Sequence, residues 1–380
     1  MSSKKKILIL GASEMQLPVI IRTKDLGYYT IIADYNPIAP GFDYANEKLI
    51  VSTNDAETLV AYSKENKIDG VLTTSDQPVN SVALISKELG LSAMSTKVAE
   101  ICTNKYKQRS ILMESGIKIP FFKLCNSSED LKDLFDFPYI VKPVDSSASR
   151  GVTLVKDKDE LQSAYKEALN FSHSKNTIVE EFIEGREFSV ETLTQNSKTH
   201  IIAITEKITA GKNIGRFVED THIEPAKLTS VEEDWIRNIV LDSISAIGLN
   251  NCPSHTEVML SDKGCFIVEI ACRLGGDYIT SDLVPLSTGV DMLENLINIS
   301  LGQPINIEQF FHKSAAVQFL NTTNYFKCQD FIHSKHSSII RYDVKPFKEI
   351  RIENSLDRLG YIILQTDTRE EMDLLLKKIQ

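Results

Sequence analysis

The chain has 380 residues, of which 42% are hydrophobic and 25% charged, and its formal net charge is −10. This length allows two or three domains with a substantial core, and the composition excludes an intrinsically disordered chain. The acidic balance argues against binding to nucleic acid or acidic membranes, and no apolar run approaches the roughly 20 residues of a membrane-spanning helix. Six cysteines without a Cys-x-x-Cys pair indicate a reduced, cytoplasmic protein.

Strand and helix patterns alternate through residues 6–100. The runs KILIL, YTIIAD, KLIVST and DGVLTT have the apolar, β-branched character of strands. Helical segments at 15–26, 55–66 and 78–89 separate these runs. Strands that alternate with helices predict a doubly wound sheet of parallel strands.

The ends of these strands are candidate binding positions, because ligands of such sheets bind beyond the carboxyl ends of the strands. Residues 11–16, 34–37 and 73–77 lie there, although each segment is equally typical of a plain turn. The segment that begins at Gly11 lacks the second and third glycines of the dinucleotide-binding fingerprint. This argues against a dinucleotide-dependent oxidoreductase.

An α+β pattern follows. We predict a helix over 96–115, a helix that begins at the cap Ser127, and another near 158–169. Strands are predicted at FFKLC, PYIVKP, TLVK and TIVEEF, and REFSVETLT and THIIAITEK are typical of antiparallel strands. FVEDTHIEPA is interpreted as a polar connector, and a helix over 230–247 follows it. The chain ends in a strand, YIILQT, and a helix over 367–378.

Two glutamates on a predicted hairpin indicate a metal site. Glu257 and Glu269 lie on the apolar runs HTEVML and CFIVEI. Asp262-Lys263-Gly264 predicts a three-residue loop, which pairs Ser261 with Cys265 and therefore Glu257 with Glu269. Facing carboxylates repel each other unless a cation lies between them, and such ligands, completed by phosphates, are typical of Mg²⁺ on a nucleotide. A solvated hairpin with both charges in water is the alternative.

Small residues after a strand indicate a phosphate-binding loop. Lys142 closes the strand PYIVKP, and the loop Ser146–Gly151 follows three residues later. Small side chains let backbone N–H groups approach phosphate oxygens, and a nearby lysine neutralises their charge. The residue order is not that of a P-loop, and an ordinary turn is the alternative. Lys105 opens a helix, where it serves either phosphate binding or only solvation.

The segment VEEFIEGREF combines an apolar strand with acidic residues. Glu180 and Glu181 lie on the strand, which turns at Gly185. A strand edge that becomes a connector offers free backbone groups, which can recognise an adenine edge, and Glu187 could accept ribose hydroxyls. An amphipathic strand without such a role is the alternative.

These motifs occur in an order that resembles the ATP-grasp superfamily of carboxylate–amine ligases. The series is Lys105, VKP with the Ser-rich loop, VEEFIEG-EFSVE, TEVML and FIVEIACRLGG, and the resemblance covers roughly residues 5–305. GASEMQLPVI, ADYNPIAPGFDYA and DGVLTTSD resemble the domain that precedes ATP-grasp in the purine-synthesis and carbamoyl-phosphate-synthetase branches. HTEVM and EIACR resemble the L-amino-acid ligases.

The resemblance implies an α/β and α+β protein with an ATP-grasp fold and an N-terminal doubly wound parallel-sheet domain. We expect this first domain at 1–100 and the ATP-grasp domain at 101–305. The latter would include a small lid subdomain at about 118–185. Residues 306–380 would form a C-terminal α+β segment packed on the ATP-grasp core.

The resemblance also implies roles for individual residues. ATP contacts are implied for Lys105, Lys142, Ser147, Ser149, Gly151, Glu180, Glu181, Phe182, Ile183 and Glu187. Among these, Glu180 would accept from the adenine amino group and Glu187 would bind ribose. Glu257 and Glu269 would hold Mg²⁺, with Mn²⁺ as the alternative ion. Arg273 and Lys142 would act in catalysis by stabilising the transferred phosphoryl group.

Candidate substrate contacts come partly from strand ends and connectors and partly from the resemblance. They are Ser75, Asp76, Lys207, His222, Gly275 and Gly276. The two glycines would place backbone donors near a substrate carboxylate, and His255 is interpreted as a structural histidine. Two positions depart from the family pattern: Ala148 stands where glycine is common, and Ala271 where many members have a metal-binding asparagine. The second departure favours the amino-acid ligases.

We therefore expect an ATP-dependent ligase that activates a carboxylate as an acyl phosphate and joins it to an amine. The partners would be small-molecule carboxylate and amine substrates, such as an amino acid, and neither nucleic acid nor a membrane; a homodimer is compatible with this class. The alternatives are a bicarbonate-using carboxylase of the purine-synthesis type and a non-catalytic nucleotide-binding protein.

Overall fold

The computed structural model describes residues 4–147, 149–210, 218–349 and 357–380. Within these ranges the chain forms three sheets: one parallel and two antiparallel. The predicted fold class is thereby confirmed. No helix in these ranges combines the length and apolar character needed to cross a membrane. All six cysteines are free and buried.

The amino-terminal part of the chain alternates strands with helices. The strands are β1 (Lys6–Leu10), β2 (Tyr29–Asp34), β3 (Glu47–Ile50) and β4 (Gly70–Leu72), and the helices are α1 (Leu17–Asp25), α2 (Ala56–Asn66) and α3 (Val79–Leu89). All strand pairs are parallel, in the order β3-β2-β1-β4. The unbroken apolar run of β1 suits a central strand covered on both faces.

Two helices, rather than the single predicted helix over 96–115, lead out of this sheet. They are α4 (Thr96–Cys102) and α5 (Lys105–Glu114). Asn104 between them is extended, and its side chain accepts a hydrogen bond from the Lys107 N–H. Asn104 therefore caps a new helix. The prediction of one helix over 96–115 was wrong, whereas the prediction that Lys105 opens a helix is confirmed.

A small antiparallel sheet follows. Its strands are β5 (Phe122–Cys125), β6 (Tyr139–Pro143), β7 (Thr153–Val155) and β8 (Thr177–Glu181), in the order β5-β8-β6-β7, and helix α6 (Lys158–Phe171) packs on it. The helix predicted from Ser127 is only a 3₁₀ turn, Ser128–Leu131. This single turn is enough to bury Leu131 and Leu134 beside the sheet.

The remaining strands form one antiparallel sheet in the order β13-β12-β9-β10-β11-β14-β16-β15. Its strands are β9 (Arg186–Gln195), β10 (Lys198–Ala210), β11 (Val218–Glu224), β12 (Cys252–Ser261), β13 (Gly264–Ala271), β14 (Ser314–Phe319), β15 (Ile339–Val344) and β16 (Gly360–Thr366). The helices are α7 (Ser230–Ile247), α8 (Val284–Thr288), α9 (Met292–Ser300), α10 (Tyr325–His333) and α11 (Arg369–Ile379). Strands on both sides of residue 305 thus share one sheet.

Two predictions about this sheet need correction. The segment around His222, interpreted as a polar connector, is strand β11, because it pairs with both β10 and β14; Phe217 in the same segment lies outside the described residues. The predicted boundaries at residues 100 and 305 remain predictions.

The hairpin of β12 and β13 has the predicted pairing of carboxylates, but its turn and strand register differ from the prediction. Ser261 pairs with Gly264 rather than with Cys265, so the loop has two residues. Gly264 has φ +113°, a conformation that favours glycine. A bulge then shifts the register between Val258 and Glu257, and Glu257 pairs with Glu269 after all. The three-residue loop was wrong, and the bulge compensates for the shorter turn.

Candidate active site

A cleft between the small antiparallel sheet and the large one collects most of the predicted nucleotide contacts. Its cavity volume is about 150 Å³. The predicted residues that line it are Lys105, Lys142, Ser147, Ser149, Glu180, Glu181, Phe182, Ile183, Glu187, Glu257 and Glu269. Gly151 is not among the lining residues; it has φ +71° and packs against Phe171. Ala148 of the same loop lies outside the described residues.

The cleft has an apolar slot beside its charged end. Ile140 and Val152 contribute apolar side chains from the small sheet and its loop, and Met259 and Val268 from the large sheet. Two apolar walls contributed by different sheets suit a flat aromatic group. At the edge of the slot, the Phe182 N–H already donates to the Pro138 carbonyl.

Glu180 lies at the centre of a buried charge cluster. The Arg109 guanidinium donates to both of its oxygens, at 2.9 and 3.1 Å, and Lys142 Nζ lies 2.7 Å from Oε2. Burial alone would raise the pKa of Glu180, but Arg109 and Lys142 hold it at about 2. Burial lowers the pKa of Lys142. Glu180 therefore positions Lys142, and both of its oxygens are already bonded.

Sequence reasoning missed Arg109. It lies one helical turn after Lys105 on α5, and its side chain is almost completely buried. Its Nη2 also donates to the Val268 carbonyl at 2.5 Å. An arginine one turn beyond an implied phosphate contact was the available signal, although its partner Glu180 is distant in sequence.

Lys105 joins three parts of the cleft. Its Nζ donates to Glu269 Oε1 at 2.9 Å and to the Ser146 carbonyl at 2.8 Å. Its own N–H donates to the Val144 carbonyl. Burial lowers the pKa of Lys105, but Glu269 more than compensates and the net shift is upward. The ammonium is therefore charged, and it connects the Ser-rich loop to the carboxylate hairpin.

Lys207 occupies the opposite side of the carboxylate pair. It lies across from Glu187 in the strand register, and its Nζ is 2.6 Å from Glu257 Oε1 and 2.8 Å from Glu187 Oε1. Glu219 Oε1 is farther, at 3.8 Å. Burial lowers the pKa of Lys207, but these carboxylates raise it well above its ordinary value. The structure therefore places Lys207 among the implied metal and ribose ligands.

The carboxylate pair fits a divalent cation only with outside ligands. Glu257 and Glu269 face each other across the hairpin, and each forms an ion pair with one lysine. Within the described ranges, no group of three or more His, Cys, Asp or Glu side chains converges as metal ligands. Two hard oxygen donors suit Mg²⁺ when phosphate oxygens and water complete its shell.

His255 has a defined partner on the neighbouring strand. Its Nδ1 lies 2.5 Å from Glu191 Oε1, and its Nε2 lies 3.7 Å from Glu257 Oε1. Burial lowers the pKa of His255, but Glu191 raises it more, and the result is about 9. The Gly275 N–H donates to Glu191 Oε2 at 3.2 Å. The donor predicted at Gly275 for a substrate is thus already used, whereas Gly276 faces open space.

Arg273 forms a bidentate ion pair with Asp76, which follows strand β4. The two N···O distances are 2.7 and 3.0 Å. Burial raises the pKa of Asp76, but Arg273 lowers it further, and the net shift is downward. Two predicted site residues thus meet across the contact between the parallel sheet and the large sheet.

A second, wider cavity of about 510 Å³ opens beside the cleft. It shares Lys105, Ser146, Ser147 and Glu269 with the cleft and adds Asp76. Its other walls come from α3, from the first turns of α5 and from His173. A molecule in this cavity would therefore reach the same charged end that a nucleotide in the cleft would reach.

His222 and its surroundings form a separate group on β11. His222 Nε2 lies 3.8 Å from Asp277 Oδ2, and Arg358 binds Asp277 and Glu219 at 2.9 and 3.0 Å. The Arg358 guanidinium also stacks on the Phe319 ring. Sequence reasoning missed Arg358, because no local pattern connects the C-terminal segment to β11.

Comparison with protein families agrees with this geometry. Residues 135–282 match the family model described as "ATP-grasp domain". The chain carries an ATP-grasp domain. This match includes the Ser-rich loop, Glu180 and both hairpin glutamates, and the predicted resemblance to ATP-grasp proteins is confirmed over these residues.

Named relatives share the domain at low identity. The chain is 25% identical over 306 residues to alanine–anticapsin ligase of Bacillus subtilis, and this alignment covers 73% of the chain and 63% of the relative. It is 29% identical over 206 residues to formate-dependent phosphoribosylglycinamide formyltransferase of Prochlorococcus marinus. This alignment covers 52% of the chain and 53% of the relative. The chain thus spans less than two thirds of either relative. Both are enzymes by name, and the first is a ligase, in agreement with the predicted enzyme class.

Solved structures show the same fold over the whole chain. An L-amino acid ligase from Bacillus licheniformis superposes with a TM-score of 0.83 at 22% identity, covering 100% of this chain and 98% of that one. A phosphoribosylglycinamide synthetase from Anaerococcus prevotii superposes with a TM-score of 0.76 at 22% identity, covering 99% and 98%. At this identity the similarity concerns the fold.

Proposed function

We propose that this protein is an ATP-dependent ligase that activates a carboxylate as an acyl phosphate and joins it to an amine. The observation that carries the proposal is the convergence of two lysines, Lys105 and Lys142, and two glutamates, Glu257 and Glu269, at the end of an apolar slot. Phosphoryl transfer needs positioning and charge neutralisation more than covalent help from the protein, and this set supplies both.

ATP would lie with its base in the apolar slot and its phosphates at the charged end. Lys105 is held by the half-buried Glu269 and Lys142 by the buried Glu180, so both ammonium groups are fixed before ATP binds. Because Arg109 and Lys142 already occupy Glu180, we assign the adenine edge to the main chain of Glu181, Phe182 and Ile183. Glu187 is the candidate for the ribose hydroxyls.

Glu257 and Glu269 are the residues that would hold Mg²⁺, or Mn²⁺, together with phosphate oxygens. When bound, the ion supplies charge neutralisation on the phosphates. Lys207 keeps Glu257 ionised and oriented, and Lys105 orients Glu269 through its ion pair. Burial raises the pKa of Glu257, but Lys207 and His255 lower it well below its ordinary value.

The carboxylate substrate would lie beside Arg273. In the first step, its oxygen attacks the γ-phosphorus and the bond to ADP breaks. In the second step, the amine attacks the acyl carbon and phosphate leaves. Arg273 carries the charge needed near both steps, and Asp76 fixes the plane of its guanidinium. The protonated His255 and the open face at Gly276 complete the surroundings of the substrate.

An amino acid is the proposed substrate class. Arg273 and protonated His255 suit a carboxylate, and the carboxylates of Glu191 and Asp76 lie next to them. Closely spaced charges of both signs match a zwitterion. The similarity to alanine–anticapsin ligase and to an L-amino acid ligase supports this choice.

Substrate-dependent ADP release tests the proposal. The protein is incubated with ATP and Mg²⁺ and with pairs drawn from the common amino acids, and products are analysed by mass spectrometry. We expect at least one pair to stimulate ADP release and to yield an amide. Stimulation by bicarbonate alone, with a carboxylated product, would establish the carboxylase alternative instead.

A further inference from the structure

A third cavity lies away from both clefts. Its volume is about 180 Å³, and it is lined by none of the residues that line the two clefts. It is enclosed by the middle of β10, the end of β11, helix α8 and the segment 309–313. Ile202, Ile204 and Leu228 make part of its wall apolar.

A buried carboxyl group faces this cavity. Glu224, at the end of β11, is 4% exposed, and among the residues that the structure describes its Oε2 has no hydrogen-bond partner. Arg369 is nearby, but its guanidinium is bound by Glu206 and Asp373 at 2.9 and 2.7 Å. Burial raises the pKa of Glu224 more than Ser287 and Arg369 lower it, and the result is about 8.

The hydroxyl groups next to Glu224 are hydrogen-bonded mainly to the backbone of their own helical segment. Ser287 Oγ donates its hydrogen to the Leu283 carbonyl at 2.8 Å, and Thr288 Oγ1 donates to the Val284 carbonyl at 2.7 Å. The backbone of α8 and of the turn before it thus holds both hydroxyl groups, and Ser287 also forms a hydrogen bond with the Glu224 carboxyl group. Once Glu224 is ionised, these three side chains offer mainly oxygen lone pairs. A matching ligand must bring the donors.

The mouth of the cavity has the opposite character. Arg237, Lys313 and His312 contribute basic side chains there. Arg237 is paired with Glu233 at 2.7 Å, and Lys313 with Asp367 at 3.1 Å; the side chains of Arg237 and Lys313 are about two-fifths exposed. Exposed ion pairs of this kind are weak and exchange partners readily. A ligand carboxylate at the mouth would therefore find cations within reach.

We propose that this cavity binds a small zwitterionic amino acid, with its ammonium group on Glu224 and Ser287 and its carboxylate towards Arg237 and Lys313. An ammonium group has three donors and no acceptor, which matches the acceptors on the cavity floor. Glu224 ionises when the ammonium binds, because the new cation offsets the cost of burying the charge. The site is independent of the ligase chemistry proposed above.

Binding would connect this cavity to the candidate active site through one strand. Glu224 follows His222 by two residues on β11, and His222 lies opposite Lys207 in the strand register. The two sites are therefore separated by only a few residues of a shared strand.

Isothermal titration calorimetry on the full chain, without nucleotide, tests the proposal. The probes are glycine, β-alanine and γ-aminobutyrate, with butyrate and n-butylamine hydrochloride as single-charge controls. We expect at least one zwitterion to bind more tightly than both controls. At pH 7, repetition in buffers of different ionisation enthalpy should show release of close to one proton per molecule bound, as Glu224 ionises.

Two variants separate this site from the candidate active site. Glu224→Gln cannot ionise, and we expect it to weaken binding at least tenfold and to abolish the proton release. Glu308→Gln, an exposed change nearby, should match the unchanged protein. Equal affinity in Glu224→Gln and the unchanged protein would overturn the proposal. If Glu224→Gln does not fold, zwitterion binding without proton release in the unchanged protein overturns it equally.

Discussion

Two buried glutamates of this protein differ in charge at neutral pH because their neighbours differ. Glu180 lies between Arg109 and Lys142, which hold its pKa at about 2. Glu224 has no such partner, and burial raises its pKa to about 8. The first is an ionised anchor for cations of the candidate active site. The second is a neutral carboxyl group to which a ligand cation can bind.

Replacement of Glu224 by glutamine should stabilise the protein at neutral pH. In the unfolded chain Glu224 ionises near its ordinary value of 4.5, whereas in the folded chain it keeps its proton up to about 8. The contribution of Glu224 to folding stability is therefore fully present below pH 4.5. It falls by about 1.4 kcal/mol per pH unit between pH 4.5 and pH 8. Glutamine has no proton to lose, so denaturant unfolding should show the two proteins diverging as pH rises. If the difference in stability between the two proteins were the same at pH 4 and at pH 7, a neutral Glu224 would be contradicted.

Replacement of Glu269 by glutamine should keep the fold and abolish turnover. The change removes one of two facing carboxylates and the partner of Lys105. Loss of the metal ligand should lower kcat on the order of a hundredfold or more. The measurement is ADP release with the substrate found by screening, at saturating ATP.

Glu184→Gln serves as the matched control, because Glu184 is exposed on the connector after β8. It should retain normal turnover. Near-normal turnover of Glu269→Gln would remove Glu269 from the metal site.

Helix α5 shows how one element supports the nucleotide cleft. It carries Lys105 in its first turn and Arg109 one turn later, and both side chains reach across to other strands. Their partners, Glu269 and Glu180, are distant in sequence. The helix thus joins the two antiparallel sheets at the charged end of the cleft.

Arg109→Gln should destabilise the protein and weaken ATP binding. It leaves Glu180 with one cation instead of two, and loss of a partner from a buried ion pair costs on the order of 3 kcal/mol. Lys142 would then lose its fixed position. Lys107→Gln, on the exposed side of the same helix, should change stability by less than about 0.5 kcal/mol. Thermal unfolding and ATP titration of both variants check this, and equal behaviour of the two would contradict the role given to Arg109.

Local sequence patterns predicted most helices and strands, but they did not predict the turns, bulges and breaks that connect them. The apolar runs predicted the parallel sheet, and the facing of Glu257 and Glu269 was correct. The loop length was wrong, because the bulge at Val258 depends on how β12 pairs with its neighbours. The prediction that Lys105 opens a helix was correct, whereas one helix over 96–115 was not, because the cap at Asn104 divides this segment into α4 and α5.

The site was predictable where one motif carries it, and not where distant segments meet. Most implied nucleotide contacts line one cleft, and most of them lie on strands and loops within residues 135–282, which match the ATP-grasp domain. The pairs Arg109–Glu180 and Asp76–Arg273 were not predicted, although three of these four residues were named separately. Such pairs arise from tertiary packing, which sequence periodicity does not record.

Among the described residues, two ion-paired contacts connect the parallel-sheet segment to the rest of the chain. Asp76 binds Arg273 beside the clefts, and Arg22 binds Asp291 and Glu294 on the other side of the parallel sheet. The first contact lies within the candidate active site, whereas the second is remote from it. The parallel sheet thus contributes to the site as well as to stability.

Asp76→Asn should lower kcat more than ATP affinity. Arg273 would lose the partner that fixes its guanidinium, and misplacement of a catalytic group costs roughly tenfold to a hundredfold in rate. Arg22→Gln is the matched control: it also weakens a contact between the parallel sheet and the rest, but it should leave kcat unchanged. Steady-state kinetics and thermal unfolding of both variants check this. A similar kcat for the two variants would assign Asp76 a purely structural role.

The central claim, an acyl phosphate, has a direct isotopic test. The carboxylate substrate is labelled with ¹⁸O in its carboxyl group, the reaction is run with ATP and the amine, and the released phosphate is analysed by mass spectrometry. Attack of a carboxylate oxygen on the γ-phosphorus predicts that each phosphate carries one ¹⁸O from the substrate. Phosphate without label, in a reaction that forms the amide, would contradict the account.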